Sequence, residues 1–358
     1  MKKIAKISLA IISSLVITSA ANAGALNVTG AAKATYTIVG SDSATAKIGN
    51  PKGIGIANEF TLGASGELDN GYTWNYAIDI DGTTVQDDAR LEVGTPFGTI
   101  AAYIHESSLS GKYGFDASAY APGSDYGYTG TTGSTFTYGA NMSSYNSIQY
   151  HSPAGALPMD MIVKVGYAPE ADGTINSSNA AGTSVESANA VSEYYVQLSP
   201  IDGLSLKGSY LEKTDDIADD GTKTKQSYEV GGIAGKYSFG PATVGYGKYL
   251  IAPTLGVQTA DSEYTMHYEN NSLSLGVNVN DALSVSWTTE ESTAMKRTNV
   301  TTADGSTKND VDTQIDAIQA AYTMGGMTLS VAHKDIENVD YTLNKDAVET
   351  VFAVVMAF

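Results

Sequence analysis

Four histidines, a scatter of serines and several runs of carboxylates are the residues of this chain best suited to chemistry. The histidines are His105, His151, His267 and His333. None stands at a helical metal spacing such as H-E-x-x-H, where two imidazoles one turn apart share an ion. A nucleophilic serine needs a base within hydrogen-bond reach. His105 beside Ser107 and Ser108 is the nearest imitation, and the three read better as polar residues at a strand end. Aspartates gather at Asp87-Asp88, at Asp215-Asp216 with Asp219-Asp220, and from Asp304 to Asp312. Hard divalent cations prefer such oxygens, but the D-x-[DN]-x-[DN]-G spacing of an EF-hand is missing. These clusters read first as solvated loop charge. Loosely bound Ca²⁺ at Asp215, Asp216, Asp219 and Asp220 is the second reading, and no resident cofactor is expected. The chain has no cysteine, so thiolate zinc and iron–sulfur sites are excluded.

The other charged residues take their meaning from the elements that carry them. From Tyr72 to Asp81, Tyr72, Trp74, Tyr76, Ile78 and Ile80 alternate with Thr73, Asn75, Ala77, Asp79 and Asp81. Period two is a strand with one apolar and one polar face. Residues 59–68 alternate in the same way, and Asp69-Asn70-Gly71 between the two segments is a tight-turn signal. The last residues repeat the pattern, with Phe352, Val354, Met356 and Phe358 on one face. Sixteen such strands are predicted. The remaining ones fall near 25–38, 88–95, 98–104, 145–152, 159–168, 191–199, 204–212, 226–239, 242–250, 272–280, 282–290, 312–324 and 326–336. Around 261–280 the apolar phase flips between Tyr268 and Leu273, which predicts a loop or bulge at Asn270-Asn271.

The connections alternate in length. Short ones fall at 68–71, 95–98, 200–203, 240–241, 280–281 and 325–326. Long ones fall at 105–144, 169–190, 213–225, 251–271, 291–311 and 337–345. Short turns on one rim and long loops on the other are the asymmetry of a transmembrane antiparallel β-barrel. A soluble sandwich has no reason for it. The N-terminus agrees: Lys2, Lys3 and Lys6, a short apolar run from Ile7 to Ile17, and Ala21-Asn22-Ala23 form a cleavable export signal. The expected organisation is a leader over 1–23 and one barrel domain over 24–358, placed in the cell outer membrane.

If the apolar faces meet lipid, the opposite phase lines the interior. It carries Lys33, Arg90, Lys164, Lys207 and Lys334, with Glu59, Glu67, Asp79, Glu92, Asp160 and Glu193. A lysine or arginine facing lipid near the midplane costs about 2–4 kcal/mol, so these groups belong in water. Losing the leader's three lysines takes the formal charge from −19 to about −22. So acidic a chain concentrates cations and offers no basic patch to nucleic acid. The loop at 105–144 is the longest, and it spaces aromatics between Glu106, Asp116 and Asp125. Folded inward, it would narrow the interior and give it an acidic, aromatic rim.

Several segments resemble the Gram-negative general-diffusion porin family. Tyr145-Asn146-Ser147-Ile148-Gln149-Tyr150-His151-Ser152-Pro153 is similar to the family's N-S-[IV]-x-Y-x-S-P strand, which follows the constriction loop. Arg90-Leu91-Glu92-Val93-Gly94 with Phe97-Gly98-Thr99 resembles its R-x-x-V-G…F-G-T hairpin, and residues 62–67 its L-G-x-x-G-E strand. Phe358 matches the family's assembly signal. The resemblance covers the chain after its leader. It implies a sixteen-stranded, trimeric, passive diffusion channel whose third loop folds inward to face a basic wall. It also implies the outer-membrane bilayer with its lipopolysaccharide, and the outer-membrane assembly machinery, as partners. Arg90 matches one wall arginine, and Lys33 is a candidate second. Thr61 stands where the family commonly has arginine, and the P-E-F-G-G stretch of the inward loop is missing. Both departures imply a weaker transverse field and a more acidic lumen.

The expected pore-lining and constriction residues are therefore Lys33, Glu59, Arg90, Glu92, Glu106, Asp116, Asp125 and Lys164. Three readings stay open: a general-diffusion porin favouring cations, a substrate-selective porin whose Tyr-rich loop stacks sugar rings, and a non-conducting acidic surface or adhesin protein. None of the three is an enzyme.

Overall fold

A computed structural model describes residues 25–40, 52–81, 84–109, 116–124, 139–169, 190–214, 226–256, 263–298 and 307–357. In chain order the strands are β1 (Ala25–Gly40), β2 (Lys52–Glu67), β3 (Thr73–Asp81), β4 (Thr84–Thr95), β5 (Gly98–Ile104) and β6 (Ser147–His151). Next come β7 (Ile162–Ala168), β8 (Val191–Ile201), β9 (Leu204–Lys213), β10 (Glu229–Phe239), β11 (Ala242–Ala252) and β12 (Glu263–Asn278). The last are β13 (Leu283–Thr298), β14 (Thr307–Lys308), β15 (Val311–Met324), β16 (Met327–Glu337) and β17 (Ala347–Ala357). β14 is a two-residue flap paired to the end of β13. The other sixteen strands pair antiparallel with their neighbours in sequence, and β17 returns to β1, so the sheet closes on itself with no free edge.

Turn chemistry sets the register at the short rim. Gly71 takes a φ of 81° in the β2–β3 turn, and its N–H donates to the Leu68 carbonyl at 2.8 Å. Asn70 accepts from the Tyr72 N–H at 3.1 Å. Closure uses the upper part of β1. The β1–β17 ladder runs from Ala31↔Ala357 to Gly40↔Val348, because the lower part of β1 pairs with β2 alone.

Several boundaries differ from the sequence reading. β12 is continuous through Asn270-Asn271, and its register shift lies between Thr265 and His267. β13 extends to Thr298, well into a predicted loop. Asp87 and Asp88 lie on β4 rather than in a loop, with Asp88 opposite Asp79. β3 and β4 are joined by two residues, so the long-loop rim has one tight connection. Asp160 is not on a strand but in an exposed 3₁₀ turn, Pro158–Asp160, before β7.

The two faces of the wall sort by polarity, and they do so differently at the two rims. Near the short turns the outer face is apolar: Leu275 and Trp287 stand opposite each other, as do Tyr322 and Leu329. Toward the long loops on β12 to β16, the outward phase becomes Asn271, Glu291, Gln314, Asp316, Asp335 and Glu337. Apolar side chains there turn inward, with Val39, Ile315, Ile336, Val339 and Ala347 packed as one buried cluster, and Glu290, Thr313, Lys334 and Glu349 are buried at neighbouring inward positions. This inversion is why the apolar phase flips along β12: Tyr268 points inward, against Ala294, Val311 and Tyr341. On β10, Gly232 leaves room for the Tyr249 ring of β11 to lie against the inner wall, where a Cβ would overlap it.

Candidate functional site

The interior is the candidate site, and its walls bring charged side chains together from neighbouring strands. On β3 to β5, the Glu92 carboxylate accepts from Tyr103 Oη at 2.6 Å and from Asn75 Nδ2 at 3.2 Å. Alternation puts all three on the inner face, and antiparallel register places Asn75 opposite Glu92. Arg90 is ion-paired with Glu106, the second residue past β5. His105 and Ser107, on either side of Glu106, have φ of 48° and 62°. Left-handed backbone at non-glycine residues is costly, and here it turns the chain inward off the wall. Burial pushes the Glu106 carboxyl above the usual glutamate value, against the opposing pull of Arg90.

The chain after β5 enters the lumen. Residues 116–124 run along the inner faces of β12, β13 and β15, tied there by wall side chains. Ser274 accepts from the Ala117 N–H at 2.8 Å and Ser286 from the Ala119 N–H at 2.7 Å. Gln319 Oε1 accepts from the N–H groups of Tyr120 and Ala121 at 2.9 and 3.0 Å, and Gln319 Nε2 donates back to the Ala121 carbonyl. Glu290 accepts from the Gly123 N–H at 3.0 Å and from the backbone and hydroxyl of Ser124. Wall side chains thus supply partners to most of the segment's N–H groups and to the Ala121 carbonyl, in place of a neighbouring strand. Gly276 leaves room for the Ala117 carbonyl, which a Cβ would meet.

A second stretch of the same connection packs on the opposite flank. Met142 is fully buried among Leu109, Ala168, Val191, Tyr195 and Leu211. Its N–H donates to Glu193 Oε2, and the Ala140 N–H donates to Tyr228 Oη, both at 2.6 Å. Burial raises the Tyr228 phenol above its ordinary value, partly offset by that bond.

Of the residues expected to line the interior, Arg90, Glu92 and Glu106 lie on one stretch of inner wall, Arg90 paired with Glu106 and Glu92 bonded to Asn75 and Tyr103. Lys33 lies with its ammonium 4.9 Å from the centroid of the Tyr120 ring, so β1 touches the inward segment. Lys164 stands opposite His151 and lies over the Tyr195 ring at 5.7 Å. Asp116 begins the inward segment and accepts from Ser118 N and Oγ. Glu59 is on β2 opposite Ala31. Asp125, the Asp215, Asp216, Asp219 and Asp220 cluster, Phe358 and the leader lie outside the described residues. Among the described residues, no three His, Asp or Glu side chains are grouped to hold a metal ion. Sequence reasoning missed Glu290 and Gln319, the main anchors of the inward segment. Their signal was the inward phase they share with Ser286 and Ala321.

No family model matches the chain, and no curated protein matches it in sequence. Solved structures match it in fold. OmpT, an outer membrane protein of Vibrio cholerae folded in vitro, superposes with a TM-score of 0.64 at 14% identity, over 96% of this chain and all (100%) of that one. A porin refined at 1.8 Å gives 0.57 at 13% identity, over 93% of this chain and 100% of the other. A variant of Rh. blastica porin gives 0.54 at 14% identity with the same coverage, 93% and 100%. The chain has a porin-like sixteen-stranded barrel fold.

Proposed function

We propose that this barrel is an outer-membrane channel for passive diffusion of small hydrophilic solutes, and that it favours cations. The observation that carries the reading is the inward segment 116–124, pinned across β12, β13 and β15 inside a closed wall whose interior holds Arg90, Glu92, Glu106, Lys33 and Lys164. Such an interior is wet, and sixteen strands leave width for an aqueous path. Cation preference follows from the net charge of −19 before the leader is removed. It is supported by Arg90, whose charge is spent on Glu106 rather than offered to anions. No step of bond making is assigned: the chain acts as a conduit, not an enzyme.

The same reading includes a leader cleaved after Ala23, assembly guided by the terminal Phe358, lipopolysaccharide around the outer rim and a homotrimer. One of the structural neighbours, OmpT of Vibrio cholerae, is described in a trimer form. Purified protein in a planar bilayer is expected to open in uniform steps, with a reversal potential under a KCl gradient on the cation side. An anion-side potential sinks the cation clause. A heat-modifiable barrel that never conducts sinks the channel reading in favour of a surface protein.

A further inference from the structure

Where β10 meets β11, the inner wall carries almost no side chain. Gly232 on β10 stands opposite Tyr249 on β11, and Ala234 stands opposite Gly247. Glycine inside a strand weakens it, and it marks a place where something else comes close to the wall. Part of that space is taken by the Tyr249 ring. A Cβ at Gly232 would overlap the ring at Cδ1 and Cε1, and one at Gly247 would stand 3.0 Å from Cε2 and 3.7 Å from Cζ. Both edges of the ring therefore rest on glycine, and the ring lies flat. Ala234 and Gly247 are buried beneath it, whereas Tyr249 itself is half-buried. One ring face is against the wall, and the other is turned to the lumen.

Other inward tyrosines are held by their hydroxyls: Tyr103 by Glu92, Tyr195 by Gln197 and Tyr228 by the Ala140 N–H. The pose of Tyr249 is set by the glycines under it. Hydroxyls flank the ring. Ser209 on β9 stands opposite Gly232, and Ser272 on β12 stands opposite Gly247, both half-buried. The charged neighbours are Lys207, opposite Ala234, and Glu290, opposite Ser272 and occupied by Gly123 and Ser124. The two docked stretches of the inward connection stop on either side. Ala117 lies over Gly276 and bonds Ser274, the inward position after Ser272. Gly139 lies against Val230 and Ile251, the inward positions next to Gly232 and Tyr249. The ring sits between them.

We propose that the free face of Tyr249 is a stacking subsite for neutral sugars, which the apolar face of a pyranose ring covers while Ser209 and Ser272 bond the hydroxyls at its edge. A pyranose carries C–H bonds on its faces and hydroxyls around its rim. An aromatic face bordered by serines matches both. A neutral solute is indifferent to the net charge of −19, so the subsite gives the channel a preference that its field does not. The subsite rests on the diffusion-channel reading, lies apart from the Arg90–Glu106 pair, and belongs to the wall rather than to the loop at 105–144.

The test is cellotetraose, a chain of β-linked glucose rings, titrated against the full-length protein in a planar bilayer. Concentration-dependent interruption of the current is expected. Tyr249→Leu keeps an apolar side chain but loses the flat face, and should raise the half-blocking concentration about tenfold. Tyr249→Phe keeps the face and should stay within about twofold of wild type. Tyr246 is exposed on the outer face opposite Gly235, so Tyr246→Leu should leave the block unchanged. A conducting wild type that cellotetraose does not block, equal block in Tyr249→Leu, or equal loss in the Leu and Phe variants overturns the subsite. If the wild type fails to conduct, the channel reading fails instead. Saturation-transfer NMR of cellotetraose with the detergent-folded barrel then decides the subsite on its own. Transfer to the sugar's C–H protons that is lost in Tyr249→Leu and kept in Tyr249→Phe upholds it, and any other pattern overturns it.

Discussion

Gln319 of β15 holds the Ala121 peptide from both ends, accepting from its N–H and donating to its C=O. One wall side chain thus imitates a neighbouring strand. Glu290 holds Gly123 and Ser124 as an acceptor alone, its two carboxylate oxygens each taking one of their N–H groups. The inward segment is therefore docked at fixed points rather than draped.

Loosening those points should change the channel before it changes the barrel. Removing a partner from a buried hydrogen-bonded group costs about 1–3 kcal/mol. Gln319→Ala and Glu290→Ala are each expected to weaken segment docking by that order while the sheet persists. Single-channel recordings should show noisier open levels, and protease should cut within 116–124 faster than in wild type. Quiet, unchanged openings in both variants count against docking as the constraint.

Charge balance at the Arg90–Glu106 pair predicts opposite shifts from its two halves. Arg90→Gln leaves Glu106 uncompensated and should deepen cation preference. Glu106→Gln leaves Arg90 uncompensated and should move the reversal potential toward anions. If neither variant moves it, the pair does not face the path.

Acidification should reproduce the second shift. The Glu106 carboxyl is raised above the ordinary glutamate value by burial, so it takes up its proton at a higher pH than an exposed glutamate, whose pKa is about 4.3. The folded state holds that proton more tightly. The stability Glu106 contributes is therefore present below the ordinary value and lost as pH rises through the raised one. Reversal potentials on a falling pH series should step toward anions just above the ordinary glutamate range. The step should be missing in Glu106→Gln.

Lys334 of β16 and Glu349 of β17 face each other in register, 3.5 Å apart and fully buried. Breaking a buried pair from one side leaves an uncompensated charge and costs about 3–5 kcal/mol. Lys334→Met should lower the urea midpoint of the detergent-folded protein accordingly. Lys334→Met with Glu349→Leu should recover most of the loss. Equal loss in single and double variants would show that the pair contributes nothing beyond packing.

The Tyr249 ring occupies the space that Gly232 leaves open. Gly232→Val should force the ring off the wall, at a cost of about 1–3 kcal/mol for overpacking. Slower folding or a lower unfolding midpoint reads this directly, and Gly232→Val with Tyr249→Ala should relieve it.

Much of this was legible in the sequence, for a physical reason. Period-two alternation and Asn-Gly or Gly-Gly turns are local signals, and they located all sixteen wall strands and the short rim. Apart from Asp160, what was misread lies mainly at the long-loop rim, where the outward phase carries Asp316 and Asp335 and the inward phase carries Ile315 and Ile336. Alternation there persists with its meaning reversed, so β12 looked broken at Asn270-Asn271 and β13 looked shorter than it is. Arg90 was recognisable as a lumenal cation, but its partner was not. Glu106 reaches it only through the left-handed turn at His105 and Ser107, which no periodicity encodes. Glu290 and Gln319 were hidden because their partners lie more than 160 residues away in the chain.

That reversal also fixes the barrel's draught, as a waterline fixes a hull's. Below Ile318 and Trp287 the sheet is finished for oil on its outer side, and above them it is finished like any soluble protein, with carboxylates outside and branched aliphatics within. Sliding up would bare the lower side chains to water, and sinking would drag Asp316, Asp335 and Glu291 into hydrocarbon. The wall thus sets its own depth of immersion along β12 to β16, with no anchor needed beyond the pattern of its strands.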